Sequence, residues 1–182
     1  MRKTGSQMSL GLRQRGATLV VGLVFLAMLS LMGVAAYAVA VQEERMSGNT
    51  RDRIRAFEAA EASLRDCESL LGGLVTLPTF DGSNGMHPAP PFGDPQVYET
   101  IDWLTGSVRV IPTVAGTPAV PGVAIQPRCI VEEVGEITRM DLTGARSMPQ
   151  EVIVETVYRV TATGYGARPG TTVSLQTTFR RP

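Results

Sequence analysis

The first pattern along the chain is an apolar run over 17–41, without a single charge. It is bounded by Arg15-Gly16 before it and Gln42-Glu43-Glu44-Arg45 after it. As a helix it spans ~37 Å at about 1.5 Å per residue, enough to cross a ~30 Å hydrocarbon core with some tilt. From Arg51 to Leu71 the pattern changes. Apolar residues recur at Phe57, Ala60, Leu64, Cys67 and Leu71, the spacing of one helical face. Arg51, Arg55, Glu58, Arg65 and Asp66 take the opposite side, with Ile54 and Glu61 near the border. Glu61 and Arg65 stand four apart in the favourable order for an ion pair. Gly72-Gly73 predicts a left-handed close to the helix. Ser47-Gly48-Asn49 marks a point where it can loosen or bend. The prediction is one long helix over 17–71, apolar all round in its first half and amphipathic in its second.

The pattern then breaks. Residues 73–128 hold nine of the twelve prolines. Asp81–Gly85 and His87-Pro88-Ala89-Pro90-Pro91 are turn and extended chemistry. Val97–Ile111 is the part expected to be ordered, with Trp103 as a core anchor, and the rest reads as a long surface loop. Period-two alternation follows. Val152, Val154, Thr156, Tyr158, Val160 and Ala162 alternate with a more polar set. Val173, Leu175, Thr177 and Phe179 alternate with Ser174, Gln176, Thr178 and Arg180. Gly164–Gly170 between them predicts a hairpin. Cys129–Val134 reads as a shorter strand, followed by a loop through Gly144 and Pro149. An antiparallel sheet with one wet face would lay its apolar face on the stripe of residues 57–71.

Charge sharpens the picture. The chain is neutral overall, but residues 1–16 hold Arg2, Lys3, Arg13 and Arg15 and no acid. The rest has thirteen basic against seventeen acidic residues. Basic residues before the apolar span put the N-terminus in the cytoplasm and the bulk of the chain outside. The one later basic grouping, Arg51, Arg53 and Arg55, is too small for a nucleic-acid binder. Residues 1–16 read as a leader, and three fates compete. The chain can be cut after Ala38, at the A-x-A site Ala36-Tyr37-Ala38. It can stay uncut as a simple anchor. Or it can be cut before the apolar run, after Gly16. Charge and hydropathy do not choose among them. Within the span, Ser30, Gly33, Ala36 and Ala40, with Gly22 before them, are small residues that let another helix approach closely. Any apolar helix contains some small residues, so this pattern has a bland reading too.

There are two cysteines, Cys67 and Cys129. In an oxidising compartment they would form one disulfide. The other reading is two buried free thiols packed as small hydrophobes. Catalytic chemistry is missing from the pattern. His87 is the one histidine and reads as a solvated loop residue. There is no Ser/His/Asp set, CxxC pair, phosphate loop or HExxH. Asp81-Gly82-Ser83-Asn84-Gly85 has a faint likeness to a calcium loop but lacks its ligand spacing and terminal glutamate. Glu43-Glu44, Glu132-Glu133 and Arg180-Arg181 read as solvated faces. Nothing points to an enzyme, a cofactor or a metal.

A basic leader ending in Arg15-Gly16, followed by Ala17-Thr18-Leu19 and an uninterrupted apolar helix, resembles the class III signal of type IV prepilins. The likeness extends over Gln14–Leu26 and Ala56–Arg65. It covers Tyr158–Gly164 and Leu175–Arg181 as well, where the chain is similar to PilX-type minor pilins. About half the chain carries it, and the Pro-rich middle carries none. The resemblance implies that a prepilin peptidase cuts after Gly16 and methylates the new N-terminus at Ala17. It also implies a departure. Major pilins carry glutamate at the fifth mature position, here Val21, where the carboxylate is held to pair with a neighbouring subunit's amine. A carboxylate in lipid is costly without such a partner. A subunit that never docks beneath another does not need it, so Val21 points to a place at or near the pilus tip. Ala17, where most pilins have phenylalanine, is a lesser departure that bears on methylation.

The expectation is an α+β, pilin-like fold with a long N-terminal helix packed on a C-terminal antiparallel sheet. Its parts are a leader at 1–16, a transmembrane and assembly helix at 17–41 and an amphipathic continuation at 42–72. A variable Pro/Gly-rich region at 73–128 and the sheet at 129–182 complete it. The resemblance implies a minor pilin that helps initiate pilus assembly, with roles in twitching motility or adhesion. Its implied partners are other minor pilins, a tip adhesin, the major pilin, the prepilin peptidase and the inner-membrane assembly platform. A pseudopilin of type II secretion and a single-pass periplasmic binding protein are the alternatives.

Overall fold

The computed structural model describes residues 17–73, 76–112, 116–140 and 152–181. The expected loop through Gly144 and Pro149 lies outside them. The chain divides into two units, ending at Ser47 and beginning at Gly48. A single helix, α1 (Ala17–Gly73), is present as expected and stays helical through Ser47-Gly48-Asn49, without the loosening allowed for there. Its other expected feature, a left-handed close, is also not seen. Neither Gly72 nor Gly73 has a positive φ.

In the first unit, every residue over 17–47 is exposed except the half-buried Val41. Leu19 is 73% exposed, Phe25 63% and Leu31 72%. So much bare apolar surface is stable only in lipid or against other apolar helices.

The second unit holds the rest of α1 and a mixed sheet. After α1 come β1 (Met86–His87), the single turn α2 (Val97–Thr100), β2 (Arg109–Val110), β3 (Arg128–Met140), β4 (Val152–Tyr165) and β5 (Thr172–Arg181). The order is β1-β3-β4-β5, with β2 also on β3. β3, β4 and β5 are antiparallel, as expected. β1 joins β3 in parallel, which makes the sheet mixed. The registers set Cys129 opposite Ala162, Val131 opposite Val160, and Tyr158 opposite Phe179. These inward residues meet Cys67 and Leu71 of α1 and Met86 of β1 in one core. The rings of Phe80 and Tyr158 stack over it, 5.3 Å between centroids.

The helix face turned to this core keeps Ala60, Cys67 and Leu71 of the expected stripe, with Leu64 packed against it, and departs from it at Phe57. Ala56, Ala59, Ala60, Ser63, Cys67 and Leu71 are buried, while Phe57 is 46% exposed and Leu64 half-buried. The reason lies in β4. A side chain at Gly164 would place its Cβ 2.2 Å from the Ala56 carbonyl oxygen and 2.3 Å from the Ala60 nitrogen. Strand backbone lies directly on helix backbone there, so small residues must face the sheet and Phe57 turns aside. Asp66 is also not on a solvated side. It is half-buried, and the Nε of Arg109 donates to it at 2.8 Å. The expected Glu61–Arg65 pair is present.

Three further expectations change. β3 runs to Met140, well past Val134, because pairing with β4 carries it across a bulge at Glu133/Gly135. Gly135 meets the bulge with φ 146°. Trp103 is half-buried rather than a core anchor. The region before Val97 is not all surface loop, since Met86 and His87 of β1 are buried.

Candidate functional site

The helix surface of the first unit carries most of the residues singled out by sequence. Gly16 and the leader lie outside the described residues, and Ala17 is the first residue of α1. Val21 is 52% exposed. An added Cβ at Gly22 or Gly33 would meet nothing within 4 Å. At about 100° per residue, Gly22, Gly33, Ala36 and Ala40 fall within an arc of roughly 60°, and Ser30 stands about 60° beyond it. The Ser30 hydroxyl donates to the Leu26 carbonyl at 2.9 Å. Its polar group is therefore satisfied within the helix, where lipid offers no partner. The run is long and apolar enough to cross a membrane.

In the second unit, Cys67 of α1 and Cys129 of β3 form a disulfide with Cα atoms 6.5 Å apart. Both are fully buried, so the bond ties the helix to the middle of the sheet. A second tie lies nearer Gly48. The backbone N–H of Ala167 donates to Asp52 Oδ1 at 2.6 Å. The Asp52 carboxyl is held below its ordinary value, first by a hydrogen bond from the Thr171 side chain. Burial opposes this, while the Ala167 and Arg168 amides and the Arg168 charge reinforce it.

The residues read as solvated do something else here. Glu132 is fully buried, and its Oε1 accepts from the Val97 N–H at 2.8 Å, at the start of α2. Arg159, opposite Glu132 on β4, donates to Gln96 Oε1 at 2.5 Å and lies 5.5 Å from the Tyr98 ring centroid. Glu132 and Arg159 thus pin 96–98 to the outer face of the sheet. Arg128 does the same for 103–104, donating to the Trp103 and Leu104 carbonyls at 2.7 and 2.6 Å. His87 is 8% exposed, with Nε2 2.8 Å from the Ser107 carbonyl oxygen. Asp81 Oδ1 accepts from the Ser83 N–H and hydroxyl at 2.9 and 2.6 Å. These two bonds depress its carboxyl, the hydroxyl's more. The oxygen closes a turn.

The arrangement is therefore structural: an apolar helix surface and a small domain fixed to its own helix segment by a disulfide and a carboxylate. Comparison with known proteins agrees. Residues 15–65 match the PilX N-terminal family. Residues 67–181 match the family described as type IV pilus assembly protein PilX C-term. No curated protein and no solved structure matches the chain. PilX proteins are structural pilus components that associate with other pilus components, and a single N-terminal apolar helix fits a pilin's single-pass anchor. With nearly its whole length covered by these two families in order, the chain belongs to the PilX family of type IV pilus proteins.

Proposed function

We propose that the chain is a minor pilin that takes part in initiating type IV pilus assembly and works at or near the pilus tip, in support of twitching motility or adhesion. A prepilin peptidase cuts after Gly16 and leaves Ala17 as the methylated N-terminus. Before assembly, residues 17–41 hold the subunit in the inner membrane. The N-terminus is cytoplasmic and the second unit periplasmic. During assembly the helix leaves lipid for the helices of other minor pilins, the major pilin and a tip adhesin, at the inner-membrane assembly platform. Gly22, Ser30, Gly33, Ala36 and Ala40 supply close contact on that route.

The observation that carries this reading is Val21. It leaves the fifth mature position apolar and exposed, in a helix with no carboxylate between Ala17 and Val41. Such a helix makes no demand for a neighbour's amine above it, so it suits a subunit with nothing docked on top. Two measurements test the reading. Intact mass and N-terminal sequencing of protein from native membranes should give a start at Ala17. A start at Val39 or an intact Met1 would overturn it. Gold labelling of the subunit on sheared pili should mark filament ends. Labels spread along the shaft would remove it from the tip.

A further inference from the structure

Arg51 and Arg55 stand four apart on one face of α1, and the turn between β4 and β5 brings Arg168 to them. With Gly48, Asp52 and Ala167 they line a cleft of about 240 Å³. The turn is held firmly in place. Besides the Ala167–Asp52 bond, Gly166 lies so close that a Cβ there would sit 2.6 Å from Asp52 Oδ1. Thr171, the turn's amides and the Arg168 charge act on Asp52, while its Oδ2 is buried without a hydrogen-bond partner among the described residues. Asp52 is the one acid among three guanidiniums.

Folding gains little from this cluster. Like charges four apart on a helix repel, and Arg51 and Arg55 make no hydrogen bond or ion pair among the described residues. Other arginines of the same unit have partners: Arg65 with Glu61, Arg109 with Asp66, Arg128 with two carbonyls and Arg159 with Gln96. The planar guanidiniums of Arg51 and Arg55, which make no bond at this cleft among the described residues, suit carboxylates, which they can take two hydrogen bonds at a time.

We propose that this cleft receives a pair of carboxylates from the helix of a neighbouring subunit in the assembly, an inference that rests on the pilin reading above. The chain itself shows that such helices offer them, since Glu43 and Glu44 are exposed on α1. The cleft belongs to the same helix whose apolar run does the packing, so an acidic neighbour there extends that contact. The order of charges disfavours lipid headgroups as the occupant. Along the helix from Val41, Glu43 and Glu44 come before Arg51, so an anionic surface meets acids first.

The sequence provides a clean test, because Lys3 is its one lysine and lies in the leader. Arg51→Lys in the full chain therefore puts the mature protein's one side-chain amine in the cleft. Arg53→Lys puts it about 200° round the same helix as a control. A water-soluble carbodiimide joins an amine to a carboxylate in direct contact. In membranes holding the pilus proteins, residue 51 should couple to an Asp or Glu of another pilus subunit, at several-fold the yield of residue 53. The Arg51→Glu/Arg55→Glu chain should keep its level and disulfide and lose most of its co-purification with pilus subunits. Equal yields at 51 and 53, coupling to lipid alone, or undiminished co-purification of the charge-reversed chain would each overturn the proposal. If the native chain co-purifies and residue 51 stays uncoupled, the proposal falls and the pilin reading stands. If the native chain co-purifies with no pilus subunit, both fall.

Discussion

Gly164 decides how near the helix and the sheet can come. Its Cα faces the Ala56 carbonyl and the Ala60 nitrogen at a distance that leaves no room for a methyl group. Gly164→Ala should therefore force strand and helix apart and cost roughly 1–3 kcal/mol or more, read as a lower urea midpoint. Asp52 acts at the same contact through charge. Its carboxyl titrates below the ordinary 3.8. Its stabilising effect is thus full above that value and fades as pH falls through the lower folded-state value. Asp52→Asn should lower the urea midpoint at neutral pH and leave a smaller further drop below pH 3.8 than the native chain shows. An unchanged acid limb would mean that Asp52 does not contribute through its charge. Single residues were the least legible level of the sequence. Alternation along Cys129–Val134 assumes one wet face, which would put Glu132 in solvent. Yet Cys129, Ile130, Val131 and Glu132 are all fully buried. α1 covers one face and the segments held by Glu132, Arg128 and Arg159 cover the other. Nothing local to Glu132 announces a cover that arrives from thirty-five residues away. Phe57 was misplaced for a similar reason, because the demand for small residues comes from Gly164 across the core.

At the scale of elements the sequence spoke more clearly. The helix is set by apolar periodicity, and β4 and β5 by strict alternation around a glycine-rich turn. β1 and β2 have two residues each and exist through pairing with β3, so no intrinsic pattern marks them. The far half of β3 depends in the same way on β4. What joins the helix and sheet elements most firmly is the Cys67–Cys129 bond, whose cysteines are 62 residues apart. In the chain-entropy account a loop of that length stabilises by about 4 kcal/mol. The Cys67→Ala/Cys129→Ala chain should melt at a lower temperature than the native one, and reductant should lower the native chain to nearly the same point. Equal melting of native, reduced and double-variant protein would show that noncovalent packing alone fixes α1 to β3.

For the molecule as a whole, the open question is what covers the apolar surface of the first unit. Among the described residues, a side chain added at Gly22 or Gly33 has open space around it. Leucine at Gly33 and Ala36 should leave membrane insertion intact, because lipid accepts leucine as readily as glycine or alanine. It should reduce the number of surface pili, because close helix contact is lost. Pilus counts equal to the native strain would refute a packing role for that face.

The disulfide also carries information about place and time. On the proposed topology, both cysteines meet an oxidant only after export, and the second arrives 62 residues behind the first. On that topology a subunit waiting in the membrane would be either sealed by the Cys67–Cys129 bond or still unsealed, without the tie between helix and sheet. On the function proposed above, the supply of thiol oxidant outside the membrane would then set how many subunits are fit to enter a filament, with no change in how many are made. Cells short of that oxidant should carry fewer pili while synthesising the chain at the same rate, and the deficit should grow with the fraction of the chain found reduced.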